Sequence, residues 1–88
     1  MDDMRLNKHY LVELNQLMCG LTLKGISFTF TQIFDGGKVD CGNWDAVCHS
    51  GSYGSRSGLL EVMGKAVVRD ADDVVEGWLT AQEILNRL

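Results

Sequence analysis

The stretch ISFTFTQIFDGGKVDCG, residues 26–42, decides the fold class. In residues 26–32 apolar side chains alternate with hydroxyl side chains, which is typical of a strand with one buried face. The side chains expected on the core face of this strand are Ile26, Phe28 and Phe30. Asp35-Gly36-Gly37-Lys38 predicts a hairpin turn, because successive glycines allow the positive φ values that such turns need. Residues 39–42 should then pair back as a second strand.

Further strands are predicted downstream of the hairpin. Over residues 44–49 the side chains alternate again, so Trp44, Ala46 and Cys48 should share one face of a strand. A loop rich in serine and glycine follows over residues 50–58. Residues 59–68 fit both a short helix and a strand, and valine pairs on both sides of a polar turn at 69–73 favour the strand. The final strand is expected to end with Trp78 and Leu79.

Helices are predicted at both ends of the chain. Residues 4–19 carry apolar side chains at helical spacing, and Gly20 is the expected stop. The apolar residues of this helix are Leu6, Tyr10, Leu11, Leu14, Leu17 and Met18. Thr80-Ala81-Gln82-Glu83 has the form of a capping box, and the helix after it carries Ile84, Leu85 and Leu88. The order predicts one α+β domain over residues 1–88, with a small, mainly antiparallel sheet and N-terminal and C-terminal helices.

The composition excludes several classes of function. The formal net charge is −4, with 12 acidic against 8 basic side chains, and the basic residues are scattered singly. Nucleic-acid binding needs clustered lysine and arginine, so the charge pattern argues against it. No apolar run approaches 18 residues, which argues against a membrane span.

Size and cysteine usage indicate the setting in which the protein works. A domain of 88 residues buries little surface on its own, so we expect a homo-oligomer. Three cysteines without a secretory signal predict a reducing compartment, the cytoplasm of a host cell. A disulfide between Cys41 and Cys48, with Cys19 left over, remains an open alternative.

The richest potential chemistry lies where the third predicted strand runs into the serine- and glycine-rich loop. Backbone amides of such loops can form anion-binding nests, serine hydroxyls donate, and an arginine grips phosphate with two hydrogen bonds. Aromatic rings beside them can stack on a base. The candidate ligand-binding residues are Trp44, His49, Ser50, Ser52, Tyr53, Ser55 and Arg56. The loop is not a P-loop, since the closing Gly-Lys-Ser/Thr is missing. The alternative is a solvated loop that Tyr53 anchors to the sheet.

Other clusters invite chemistry with less support. Cys48-His49 suggests a cysteine nucleophile, but adjacent strand residues point to opposite faces, so the imidazole does not activate the thiol. Zinc ligands drawn from Cys41, Cys48 and His49, with Cys19 or His9, would have the spacing Cys-x6-Cys-His, which matches no common zinc knuckle. Carboxylates that a turn and a strand could bring together for acid–base work are Asp40, Asp45 and Glu61. We therefore expect no enzymatic activity, no metal and no cofactor.

Three segments resemble those of short, uncharacterised proteins from phages and prophages of Gram-positive bacteria. They are WDAVCHSGSYG at 44–54, GLLEVMG at 58–64 and EGWLTA at 76–81. The resemblance covers most of the chain from Ile26 onward and carries no catalytic or binding residue with it. It implies a context, since small phage accessory proteins often act by binding, including as inhibitors of host immunity.

Together these patterns predict a non-enzymatic phage accessory binding protein. It would act against host defence by sequestering a nucleotide-like immune signal through the loop. The alternative is a protein–protein inhibitor of a host defence factor that acts through an acidic surface. The residues of that surface would be Asp70, Asp72, Asp73 and Glu76.

Overall fold

The computed structural model describes residues 5–69 and 74–88. In chain order, the elements are α1 (Lys8–Leu23), β1 (Thr29–Ile33), β2 (Gly36–Asp40), β3 (Asp45–Cys48), a 3-10 helix (Ser55–Ser57), β4 (Leu60–Met63), β5 (Val75–Leu79) and α2 (Ala81–Leu85). The predicted α+β class, with a helix on either side of the strands in the sequence, is confirmed.

The strands form an antiparallel meander in the order β1-β2-β3-β4-β5. Both helices pack on one face of this sheet, and α1 also contacts α2. The core lies between the helices and that face, and its fully buried side chains include Leu14, Leu17, Leu21, Val39, Ala46, Cys48, Leu60, Val62 and Ile84. The predicted alternation in the third strand is confirmed, because Trp44, Ala46 and Cys48 are all buried.

The hairpin between β1 and β2 turns at a different place from the predicted one. Ile33 pairs with Gly36, so Phe34 and Asp35 make the turn, and Phe34 supplies the positive φ of 52°. Gly36 and Gly37 lie inside β2. A Cβ on Gly36 would overlap the carbonyl oxygen of Cys48 and lie 2.9 Å from the Cα of His49. Gly36 is therefore required for packing against backbone rather than for turning, whereas a Cβ on Gly37 would overlap only with the end of the Phe30 ring.

The first strand is shorter than the alternation predicted. It begins at Thr29, and Ile26 and Phe28 pack against the core from the segment before it. Phe30 is 39% exposed, although the prediction placed it in the core. Its ring lies over Gly37 at the sheet edge, where β1 has a neighbouring strand on one side only. The edge position explains why alternation overestimated the burial of Phe30.

The first helix is displaced towards the C-terminus relative to its prediction. Asn7 caps the helix by accepting a hydrogen bond from His9, which leaves Leu6 outside and exposed. The helix continues through Gly20, where a Cβ would lie 2.9 Å from Cδ2 of Leu85. Gly20 is thus the point at which α1 and α2 touch, not a stop. Termination falls instead at Gly25, whose φ of 72° follows the last turn as in a Schellman motif.

The capping box at the start of α2 is confirmed. The Thr80 hydroxyl accepts from the backbone N–H of Glu83 at 3.1 Å, and Glu83 accepts from the backbone N–H of Thr80 at 2.9 Å. Glu13 of α1 accepts from the N–H of Ala81 at 2.8 Å, so the first helix also helps to cap the last one. Ile84 and Leu85 are buried, as expected, and Leu88 is exposed.

The ambiguous segment 59–68 contains a strand, as favoured, over Leu60–Met63. Turns follow it, and Val67 and Val68 are buried in these turns rather than in a strand. The acidic residues Asp70, Asp72 and Asp73 lie outside the described residues.

An ion pair fixes the chain end to the sheet. The Arg87 guanidinium donates to both carboxylate oxygens of Glu76 at 2.9 Å and to the carbonyl oxygen of Val67 at 2.7 Å. The side chains of Arg87 and Glu76 are 9% and 28% exposed. Hydrogen bonding from Arg87 lowers the pKa of Glu76, with a smaller contribution from the backbone N–H of Arg69.

Glu76→Gln is expected to lower the free energy of unfolding at pH 7 by about 2 kcal/mol, since a charged hydrogen-bonded partner is lost. Because the pKa of Glu76 in the folded protein lies below its ordinary 4.5, this contribution is complete above pH 4.5 and is lost as pH falls through the folded value. Urea unfolding of both proteins between pH 7 and pH 3 should therefore show their difference shrinking in acid.

The comparison between the two proteins isolates Glu76. Hydrogen bonding from Thr80 lowers the pKa of Glu83, and burial raises that of Asp45, but both groups are present in each protein and cancel. A difference between wild type and variant that stays constant over the whole pH range would contradict the role of the ion pair.

Candidate functional site

A groove of about 310 Å³ lies on the connection between β3 and β4. Its lining residues are Ser50, Gly51, Ser52, Tyr53, Gly54, Ser55, Arg56 and Trp78. Five of the seven predicted ligand-binding residues are therefore brought together in one place. His49 lies immediately before the groove, and Trp78 joins it from the end of β5.

Contacts from three other parts of the chain hold the loop in place. The Asp35 carboxylate accepts from the backbone N–H of Ser50 at 3.0 Å, and the Glu61 carboxylate accepts from that of Tyr53 at 2.8 Å. From α1, Nε2 of His9 lies 3.0 Å from the carbonyl oxygen of Arg56 and donates to it. The loop is thereby preorganised by the β1–β2 turn, by β4 and by α1.

Two of the predicted residues act mainly inside the loop. The Ser52 hydroxyl accepts from the backbone N–H of His49 at 3.0 Å and donates to its carbonyl oxygen at 2.9 Å. Nδ1 of His49 accepts from the backbone N–H of Gly51 at 3.0 Å, and the imidazole ring packs edge-on against Phe34 with centroids 5.3 Å apart. Ser52 is buried and His49 is partly buried, so both shape the loop.

The backbone amides at the start of the loop are already used. Those of Ser50, Gly51, Ser52 and Tyr53 each donate to an acceptor within the protein. The predicted anion nest would need these amides to point at a ligand. An anion in the groove would therefore rely on side-chain donors, of which Arg56 is the charged one.

Three lining side chains remain available to a ligand. Tyr53 and Trp78 are each 60% exposed, and Arg56 is exposed as well. Within residues 5–69 and 74–88, no ion pair or hydrogen bond engages the Arg56 guanidinium. The alternative prediction, a solvated loop that Tyr53 anchors to the sheet, agrees with the backbone of Tyr53, whose N–H donates to Glu61 in β4 and whose carbonyl oxygen accepts from Trp78 in β5. Buried serines and the contacts from Asp35 and His9 hold the loop as well.

Trp78 is the lining residue that the sequence did not identify. It has a φ of 63°, a conformation that is costly for a bulky side chain. Its backbone N–H donates to the carbonyl oxygen of Tyr53 at 3.4 Å, and a Cβ on Gly54 would lie 2.9 Å from the nitrogen of Trp78. Close backbone approach at Gly54 and Gly77 thus places the indole beside Tyr53. Backbone strain held by the surrounding structure is common at functional sites.

Other predicted residues lie elsewhere. Trp44 is 5% exposed in the core and does not line the groove. Glu76 is engaged by Arg87, as described above, and the other acidic residues of the alternative surface lie outside the described residues.

The cysteines are not joined by a disulfide. All three are free, and Cys41 and Cys48 lie at opposite ends of the β2–β3 ladder. Burial raises the pKa of Cys48 to about 11, which keeps the thiol protonated at neutral pH. Among residues 5–69 and 74–88, no three His, Cys, Asp or Glu side chains are grouped so that they could hold a metal ion.

The predicted carboxylate group is partly assembled on the exposed sheet face. Asp40 lies opposite Asp45 in the β2–β3 ladder, whereas Glu61 of β4 lies opposite Val47, which is two residues nearer the loop. Burial raises the pKa of Asp45, with Asp40 and Glu61 adding to the shift and Lys38 opposing it. A second cleft of about 360 Å³ lies beside Asp40 and Cys41, at the end of the sheet away from the loop.

The fold and the groove define a small α+β protein that presents a hydrogen-bonded loop, with Tyr53 and Trp78 at the groove, on an antiparallel meander. Compared with protein-family models, with curated proteins and with solved structures, the chain gives no match. Within the part of the chain that the structure describes, no helix combines the length and the apolar character needed to cross a membrane.

Proposed function

We propose that this protein is a non-enzymatic binding protein that sequesters a nucleotide-like molecule in the groove. The observation that supports this most is the contrast within the loop. Ser52, Gly54 and Ser55 of the loop are buried. By contrast, Tyr53 and Arg56 of the loop and Trp78 of β5 line the groove with their side chains exposed.

These three side chains supply the contacts that a nucleotide needs. Bases stack on tyrosine and tryptophan rings with a gain of about 1–3 kcal/mol per base. A guanidinium forms paired hydrogen bonds with phosphate oxygens. Since the loop is already fixed, binding would cost little additional ordering.

The wider role that we propose is counter-defence in a host cell. The resemblance to phage proteins supports this role. Sequestering a nucleotide signal would silence the host pathway that the signal activates. The small size of the domain supports the further proposal that the protein forms a homo-oligomer, because 88 residues bury little surface on their own. Native mass spectrometry would report the oligomeric state and any co-purified ligand together.

Arg56→Ala is expected to weaken nucleotide binding by about ten- to a hundredfold, because a charged hydrogen bond is worth about 1.5–3 kcal/mol. Isothermal titration calorimetry with a panel of cyclic nucleotides provides the affinities. Lys65→Ala is the matched control, since it removes one positive charge at an exposed position that does not line the groove.

Fluorescence gives an independent readout of the same binding event. Trp78 is exposed in the groove while Trp44 is buried, so a bound base should quench only the solvent-exposed emission. Absence of both heat and quenching across the panel would refute the proposed function. Equal affinities of wild type and Arg56→Ala would refute the role of the guanidinium.

A further inference from the structure

The charge distribution around the groove is unusual for a site that would hold phosphate. Among residues 5–69 and 74–88, Arg56 is the only charged side chain that lines the groove. The carboxylates of Asp35 and Glu61 lie directly behind the loop, each hydrogen-bonded to one of its amides. The chain as a whole carries a formal charge of −4. A ligand with one negative charge finds one cation in the lining, whereas further negative charges find no second cation among the described lining residues and two carboxylates behind the loop.

Backbone donors do not compensate for the missing cations. Sites for nucleoside triphosphates surround the phosphates with several free amides as well as basic side chains. Here the amides from Ser50 to Tyr53 are used within the protein. Extra phosphate groups would therefore lose hydration without gaining comparable partners.

The dimensions of the groove point the same way. Ligand sites usually measure about 300–1,000 Å³, and this groove, at about 310 Å³, is at the lower end. Tyr53 and Trp78 flank it with neighbouring backbones, since the N–H of Trp78 donates to the carbonyl oxygen of Tyr53. That space suits one base and one phosphate.

We propose that the groove selects ligands that combine one base with a single negative charge, as in a cyclic mononucleotide, and disfavours nucleoside triphosphates. This inference rests on the proposed function and narrows its ligand class. Selectivity arises from electrostatics, because each uncompensated phosphate charge near Asp35 and Glu61 raises the free energy of the complex.

The test is a titration series at constant ionic strength with the unmodified protein. Adenosine, 3′,5′-cyclic AMP, AMP and ATP carry the same base with increasing negative charge, and the guanine series repeats the comparison. We expect the cyclic monophosphate to bind most tightly and the triphosphate to bind at least about tenfold more weakly. Triphosphate affinity equal to or greater than that of the cyclic nucleotide would overturn the charge selection while leaving the proposed function standing. No binding by any compound would overturn both.

A charge variant separates electrostatics from fit. Asp35→Asn with Glu61→Gln keeps an acceptor oxygen for each loop amide but removes both carboxylate charges. In the double variant, the ratio of the affinity for cyclic AMP to that for ATP should fall about fivefold or more. In the wild type, the same ratio should rise when the salt concentration is lowered. Asp40→Asn, at the far end of the sheet, is the control and should leave the gap unchanged. An unchanged gap in the double variant, with an unchanged melting temperature, would refute the electrostatic mechanism.

Discussion

Gly36→Ala is expected to destabilise the protein by about 3 kcal/mol, the upper part of the range for overpacking. The added methyl group would overlap the carbonyl oxygen of Cys48 and lie 2.7 Å from its carbonyl carbon. A side chain could rotate away, but this is backbone in the middle of the sheet, so β2 and β3 would have to separate. Urea unfolding monitored by circular dichroism gives the change in the free energy of unfolding.

Gly51→Ala is the matched control for this substitution. Gly51 is exposed and lacks a positive φ, and a Cβ there would lie 3.3 Å from the His49 ring, with no backbone contact. We expect a change within about 1 kcal/mol. If Gly36→Ala is as stable as Gly51→Ala, the close approach of β2 and β3 at this point is not what requires the glycine.

Trp78→Ala is expected to reduce nucleotide affinity by about ten- to a hundredfold, because a stacking surface worth about 1–3 kcal/mol per base is removed. Trp78→Gly should lose affinity equally but should be about 1 kcal/mol more stable than the alanine variant. At a φ of 63° glycine is relaxed and alanine is strained, which reverses the usual order of these residues in a strand. Calorimetry and chemical unfolding measure the two effects separately.

Trp78→Phe provides the conservative comparison, since it keeps an aromatic ring on the same strained backbone. Its affinity should remain within about tenfold of wild type. If Trp78→Ala binds nucleotide as tightly as the wild type, the indole does not contribute to the binding site. An alanine variant more stable than the glycine variant would show that the backbone at this position changes conformation once the indole is gone.

Part of the fold could be predicted because strand alternation and the capping box are local signals. The capping box at Thr80 and Glu83 and the buried face of β3 follow from spacing alone. The turn position could not be predicted in the same way. A glycine that supplies positive φ and a glycine that makes room for backbone look alike in a sequence, and Gly36 belongs to the second kind.

The candidate site shows the same division between local and long-range information. Tyr53 and Arg56 were identified from the composition of a single loop, and both line the groove. Trp78 is distant in sequence and reaches the groove only because β5 pairs with β4, whose first residue lies next to the loop. Trp44 is close in sequence, but strand alternation turns it into the core.

The meander has a consequence for how the chain folds. Every strand pairs with its neighbour in sequence, and the connections between paired strands are two, four, eleven and eleven residues long, so each closes at modest entropic cost. The contact between Glu13 and Ala81, by contrast, joins residues 68 positions apart. Chains dominated by local pairing fold rapidly, and a contact between residues far apart in sequence, such as Glu13 and Ala81, forms after the local contacts. We therefore expect neighbouring strands to pair first, and the two helices to dock on the sheet and on each other in the step that completes folding.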